Sequence, residues 1–139
     1  MVKTNLIQKC KKIKIVLTDV DGVLTDGGRY YSDKGEILKK FHVRDGMGIN
    51  ILLRNGIKTI IVTKENSKIT KKWAKDMNVT KVISGSLKKE NELIKICKTF
   101  NLSPTQIAYI GDDVNDIGLL KKVGFSATTN DADNMIKEH

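Results

Sequence analysis

The sequence carries one proline, two cysteines and three arginines, and each scarcity excludes something. With one proline and eleven glycines the chain is neither collagen-like nor a proline-rich linker. Cys10 and Cys97 form no CxxC pair and no disulfide framework, which points to a reduced, cytoplasmic protein. No apolar run approaches the roughly 18–20 residues of a membrane-spanning helix, so no membrane partner is expected. Met1 to Lys14 holds lysines with no apolar block behind them, and reads as no signal peptide. What remains is 139 residues, 40% hydrophobic and 29% charged. That is enough apolar side chain for one core, and a length that suits a single domain over residues 1–139.

The formal net charge is +9, from 25 Lys+Arg against 16 Asp+Glu. A basic domain can bind nucleic acid. Here, however, nearly all the cations are lysines, and arginine is the better fork for phosphates and base edges. The lysines are scattered as Lys39–Lys40, Lys71–Lys72, Lys88–Lys89 and Lys121–Lys122, mostly where a helix would face solvent. They read as a solvated surface that attracts small anions, and no nucleic-acid partner is expected. A basic nucleic-acid-binding domain stays as a remote alternative.

Short β-branched runs alternate with helical patterns. Strands are predicted over 13–18, 57–62, 81–84, 106–110 and 124–128. A hairpin is predicted over about 27–41, with its turn at Ser32-Asp-Lys-Gly35. Helices are predicted over 45–55, 66–77 (capped by Asn66), 87–100 (Leu93, Ile94 and Cys97 inward), 114–123 and 131–139. Strands alternating with helices give an α/β fold, a Rossmann-like parallel sheet covered on both faces. In such sheets ligands bind at the carboxyl ends of the strands.

The acidic clusters fall at those ends. The first strand runs into Asp19-Val-Asp21-Gly-Val-Leu-Thr, and the fourth core strand into Gly111-Asp112-Asp113-Val-Asn-Asp116. Packed close, Asp19, Asp21 and Asp112 would repel one another unless a divalent cation sat among them. All-oxygen ligation with no histidine or cysteine points to Mg²⁺.

These two motifs, with Thr63 ending the second core strand and Lys89 after the third, resemble the four motifs of the haloacid dehalogenase (HAD) phosphatase superfamily. The resemblance implies that Asp19 is a nucleophile forming an aspartyl phosphate and that Asp21 is the general acid and then base. It implies that Thr63 and Lys89 bind phosphoryl oxygens, while Asp113 and Asp116 hold waters or orient Lys89. Mg²⁺ would be held by Asp19, the Asp21 carbonyl and Asp112. Larger members insert a cap domain. Only about 36 residues separate Asp26 from Thr63 and about 25 separate Thr63 from Lys89, so no cap domain is expected.

Asp26-Gly-Gly-Arg-Tyr-Tyr, Gly35-Glu-x-x-Lys-Lys-Phe41 and Val43-Arg-Asp-Gly-Met-Gly-Ile49 are similar to the 3-deoxy-D-manno-octulosonate (KDO) 8-phosphate phosphatases and their sialic-acid-type 9-phosphate relatives. That likeness implies a homotetramer whose hairpin flap helps shape the site, with His42, Arg44, Asp45 and Gly46 near the sugar. It also implies a cytoplasmic hydrolase of sugar-acid phosphates, in lipopolysaccharide or sialic-acid metabolism. Where the KDO enzymes carry Gly-Arg after the threonine, this chain has Lys64-Glu65, more like the nine-carbon branch. Arginines found in KDO enzymes are replaced by Asn50 and Trp73. The family's glycine-rich tail is absent before His139, which leaves a catalytically weak scaffold of the same fold as the alternative.

Overall fold

The computed structural model describes residues 2–139. Val2–Lys12 forms a helix, α1, where the sequence reading expected none. Its last turn carries Lys9, Lys11 and Lys12, the sign that suits a helix carboxyl end. It hands the chain to β1 (Ile15–Thr18) through a bond from the Lys14 N–H to the Gln106 carbonyl. Next come β2 (Tyr30–Ser32) and β3 (Gly35–Leu38), an antiparallel hairpin on the expected residues. α2 (Val43–Arg54) follows, ending at Asn55 and Gly56, where glycine accepts a positive φ of 77°. The chain continues through β4 (Lys58–Val62), α3 (Lys68–Asp76), β5 (Lys81–Ile83) and α4 (Glu90–Phe100). β6 (Ile107–Ile110), a short helix α5 (Ile117–Leu120), β7 (Phe125–Ala127) and α6 (Asn134–Lys137) complete it.

Five strands form one parallel sheet in the order β5-β4-β1-β6-β7, the α/β architecture expected, with the hairpin as a separate two-stranded flap. β1 is central. Thr18 aligns with Ile61 of β4 on one side and with Ile110 of β6 on the other. One step further along all three strands stand Asp19, Val62 and Gly111, so the segments bearing Asp19, Thr63 and Asp112 emerge together. The connection turns outward in opposite directions from β1, and the crevice opens at that switch point.

The strands are apolar on both faces because both faces are covered. Ile15, Leu17, Ile60, Val62, Ile107 and Tyr109 pack with Leu93, Ile96 and Leu119 on one side. Val20, Leu24 and Ile61 pack with Ala74 on the other, where Phe41 and Trp73 stack with ring centroids 4.3 Å apart. No segment of the chain forms a cap domain among the described residues.

Three details differ from expectation. Ser67, not Asn66, caps α3: its hydroxyl accepts from the Thr70 N–H. α4 buries Leu93 and Ile96, whereas Ile94 faces solvent, a phase shift that two adjacent isoleucine-like positions leave open. The segment expected as one helix over 114–123 splits into a 3₁₀ turn (Val114–Asp116) and α5.

Candidate active site at the carboxyl ends of the strands

Asp19 follows β1 directly. Its N–H donates to the Ile110 carbonyl (3.0 Å), pinning the residue to β6. Its Oδ1 accepts from the Val20 N–H (2.7 Å), and its Oδ2 lies 2.8 Å from Lys89 Nζ. Lys89, at the start of α4, is fully buried. Its ammonium also donates to Asp116 Oδ1 (2.6 Å) and to the Tyr109 hydroxyl (3.3 Å). Asp116 is equally buried and saturated. Oδ1 accepts from Lys89 and from Tyr109 OH (2.6 Å), while Oδ2 accepts from the N–H groups of Asp112 (2.9 Å) and Asp113 (3.2 Å). It therefore folds the loop after β6 and orients Lys89.

Carboxylate oxygens of Asp19, Asp112 and Asp116 lie within 4.8 Å of one another. Because both Asp116 oxygens are taken, Asp19 and Asp112 are the pair left to meet a cation. Asp112 Oδ1 and Asn115 Oδ1 are buried without a hydrogen-bond donor among the described residues. Burial, then the neighbouring Asp19, Asp116 and Asp113, push the Asp112 carboxyl up to about 6. Burial also raises Asp19, against the opposing pull of Lys89. Gly22 makes the approach possible. It sits at φ +85°, and a Cβ there would overlap Asp112 Oδ2. A hard divalent cation fits this set: oxygen donors only, mutual repulsion, and buried oxygens lacking a donor.

Asp21 lines the same cavity of about 330 Å³, as do Thr63, Lys64, Glu65, Asp112, Asp113, Asn115 and the Asp131–Asp133 turn. The Asp21 side chain lies outside the Asp19–Asp112–Asp116 cluster and pairs with Lys39 on the flap. Thr63 is buried, and its Oγ1 accepts from the Glu65 N–H (3.3 Å), which leaves its own proton to donate. Asp113 is exposed and caps its own turn at Val114.

The expected sugar contacts divide. Lys64 and Glu65 join Asp19. His42, Arg44 and Asp45 line a second cavity of about 530 Å³ with Leu24, Asp26, Lys40 and Phe41. His42 also caps α2, its Nδ1 accepting from the Arg44 N–H (3.1 Å). Gly46 lies in neither cavity: it is buried where a Cβ would strike Met77 Sδ. Sequence reasoning missed Tyr109, Glu36 and Lys39. Lys39 was counted among the solvated lysines, yet its side chain is sealed from solvent.

Comparison with known proteins agrees with this geometry. Residues 55–139 match the haloacid dehalogenase-like hydrolase family. The chain is 38% identical over 130 residues to the 3-deoxy-D-manno-octulosonate 8-phosphate phosphatase KdsC of Haemophilus influenzae, covering 94% of this chain and 72% of that protein. The Escherichia coli KdsC is 34% identical over 131 residues, covering 94% and 70%. The cobalt-bound H. influenzae structure superposes with a TM-score of 0.91 at 38% identity, covering 94% of this chain and 77% of that one. The Moraxella catarrhalis enzyme, in complex with magnesium, phosphate and KDO, superposes with a TM-score of 0.91 at 32% identity, covering 96% and 76%. This chain belongs to the haloacid dehalogenase-like hydrolases, in the family of the 3-deoxy-D-manno-octulosonate 8-phosphate phosphatases, and is a phosphatase by that membership.

Proposed function

We propose that the protein is a Mg²⁺-dependent phosphomonoesterase acting on a 2-keto-3-deoxy sugar-acid phosphate, KDO 8-phosphate first. The observation that carries this reading is the meeting of Asp19 and Asp112 on one cavity wall that Asp21 and Thr63 also line, with the buried Lys89–Asp116 pair behind it. Asp19 attacks phosphorus, the bond from phosphorus to the leaving oxygen breaks, and Asp21 gives its proton to that oxygen. Asp21, now a carboxylate, takes a proton from water as the water attacks the phosphorus of the aspartyl phosphate. The bond between phosphorus and Asp19 breaks, inorganic phosphate leaves, and both aspartates are restored.

Lys89 holds Asp19 in place and pulls its carboxyl toward the ionised form against burial; Thr63 donates its hydroxyl proton to a phosphoryl oxygen. Asp19, Asp112 and the Asp21 carbonyl would hold Mg²⁺, which supplies the positive charge that lets a phosphate dianion enter an acidic cavity. Lys64 and Glu65 at the rim favour contact with the sugar acid, and Glu65 keeps a nine-carbon 9-phosphate as the second candidate substrate.

What the flap exposes supports an assembly. Tyr30, Tyr31, Ile37 and Leu38 on the hairpin, and Val43, Met47 and Ile51 along one stripe of α2, are each 50–85% exposed. So much exposed apolar surface on the flap and α2 suits a homotetramer formed through them, with His42, Arg44 and Asp45 next to them along the chain. Cys10 and Cys97 are free, in keeping with a reducing cytoplasm.

Steady-state phosphate release from KDO 8-phosphate and from N-acylneuraminate 9-phosphate, with and without Mg²⁺, tests the reading. Release from one of them that depends on Mg²⁺ and vanishes in Asp19→Asn is the expected result. Release unaffected by that substitution, or none from either substrate, would overturn it.

A further inference from the structure

The flap carries a charged network that reaches the catalytic wall. Glu36 of β3 accepts from Ser67 Oγ (2.8 Å), the residue that caps α3, and from Arg29 Nε (3.2 Å) and Nη2 (3.1 Å). Arg29 also meets Glu65 at 3.3 Å. Lys39 stands one residue beyond β3. Its ammonium lies 3.1 Å from Glu36 Oε2 and pairs with Asp21 Oδ1. The Lys39 side chain is fully buried, whereas its neighbour Lys40 reaches out to Asp26 with most of its surface in water.

We propose that Lys39 is a positioning residue for Asp21. It fixes the carboxyl through Oδ1 so that the group stands at the leaving oxygen, and Glu36 locks Lys39 by tying the flap to the N-terminus of α3. Asp21 sits in a loop, and a loop carboxyl lacks the backbone ladder that fixes Asp19. Its hydrogen-bonding partner among the described residues is the Lys39 ammonium. The Lys39 side chain has no exposed surface, and an ammonium buried without pairing is costly, so in this position it must keep its carboxylate partners, and the Asp21 carboxyl is held with it. Glu36 shares that ammonium, so Lys39 holds the position of Asp21 without standing as its sole counter-charge. Asp21 still lines the cavity and remains a quarter exposed, open on the side from which a substrate arrives.

The inference rests on the reading of Asp21 as the proton donor, and the test separates the two. A misplaced acid matters when the leaving group is a poor one and hardly matters when it leaves unaided. KDO 8-phosphate has an alkoxide leaving group; 4-nitrophenyl phosphate has a stable phenolate. kcat/KM for both is measured in the parent, Asp21→Asn, Lys39→Gln, Lys39→Arg and Glu36→Gln proteins, each checked for a parent-like thermal transition.

Lys39→Gln is expected to lose on the order of 10²-fold on KDO 8-phosphate, within the range a positioned acid contributes, and only about threefold on 4-nitrophenyl phosphate. Lys39→Arg should restore most of the loss, and Glu36→Gln should show a weaker form of the same split. Equal losses on both substrates in Lys39→Gln, with a split in Asp21→Asn, would make Lys39 merely structural and overturn the inference. Absence of the split in Asp21→Asn itself would instead remove the reading of Asp21. Should Lys39→Gln fail to fold, the split in Glu36→Gln decides.

Discussion

The strand-end cluster and the hairpin flap are built in opposite senses. At the strand ends, Lys89, Asp116 and Tyr109 have almost no exposed surface and bond one another, while Asp112 keeps a buried oxygen with no donor among the described residues. On the flap, apolar groups face water, whereas two charged ones, Glu36 and Lys39, turn inward. The first region is fixed by the sheet: register sets where Asp19 and Asp112 stand, and no neighbouring molecule is needed. The second is fixed by ion pairs and leaves its apolar side uncovered. The acidic cluster is therefore preorganised within one chain, whereas the flap leaves apolar surface for a neighbour to cover.

The largest effect expected is at the nucleophile. Asp19→Asn should abolish phosphate release while the protein keeps a cooperative thermal transition, because the amide still accepts from Val20 but cannot attack phosphorus. Next is Lys89→Met. It leaves Asp116 and Asp19 buried without a counter-charge and should cost about 3–5 kcal/mol in urea unfolding, besides activity. A loss below about 1 kcal/mol would mean that this cluster is no more rigidly built than the flap.

The flap answers to a different measurement. Ile37→Ser with Leu38→Ser should lower the native mass from an oligomer to a monomer, with the near-ultraviolet signal of the core retained. An unchanged native mass would show that the exposed apolar face is not the contact.

A smaller effect concerns Asp112. Its carboxyl is raised to about 6 in the metal-free protein, so its ionised form is a burden above that pH, relieved as pH falls through it toward the unfolded value. Mg²⁺ needs the ionised form. The rise in melting temperature on adding Mg²⁺ should therefore be clear at pH 7.5 and shrink by pH 5. The smallest effect belongs to Lys40→Ala on the outer flap, which breaks an exposed pair with Asp26 and should change stability by less than about 1 kcal/mol.

The two regions also differ in how far the sequence reveals them. Asp19 and Asp112 were legible because buried parallel strands read as unbroken apolar runs that stop at a carboxylate. The parallel sheet follows from alternating strands and helices, though its strand order does not, and the motif spacing excludes a cap. Lys39 was not legible. A buried lysine looks like any surface lysine until folding brings Asp21 and Glu36 to it. Tyr109 was hidden for a similar reason: in a strand covered on both faces, a tyrosine reads as core, and its hydroxyl finds Asp116 only through the turn after β6. α1 carries no apolar stripe that the core needs, and Leu6 and Ile7 remain near half exposed, so periodicity gave no signal. The sugar contacts expected at His42, Arg44 and Asp45 came from likeness alone, and chain geometry assigns them to a second cavity.

The central claim is that Asp19 carries the phosphoryl group. It is tested most directly by mixing the Asp21→Asn protein with Mg²⁺ and 4-nitrophenyl phosphate, quenching in acid and mapping the modified peptide by mass spectrometry. With the leaving group departing unaided and no base to activate water, one phosphoryl group should accumulate on the peptide containing Asp19. Nitrophenolate released with no phosphorylated peptide, or with the group on another residue, would contradict it.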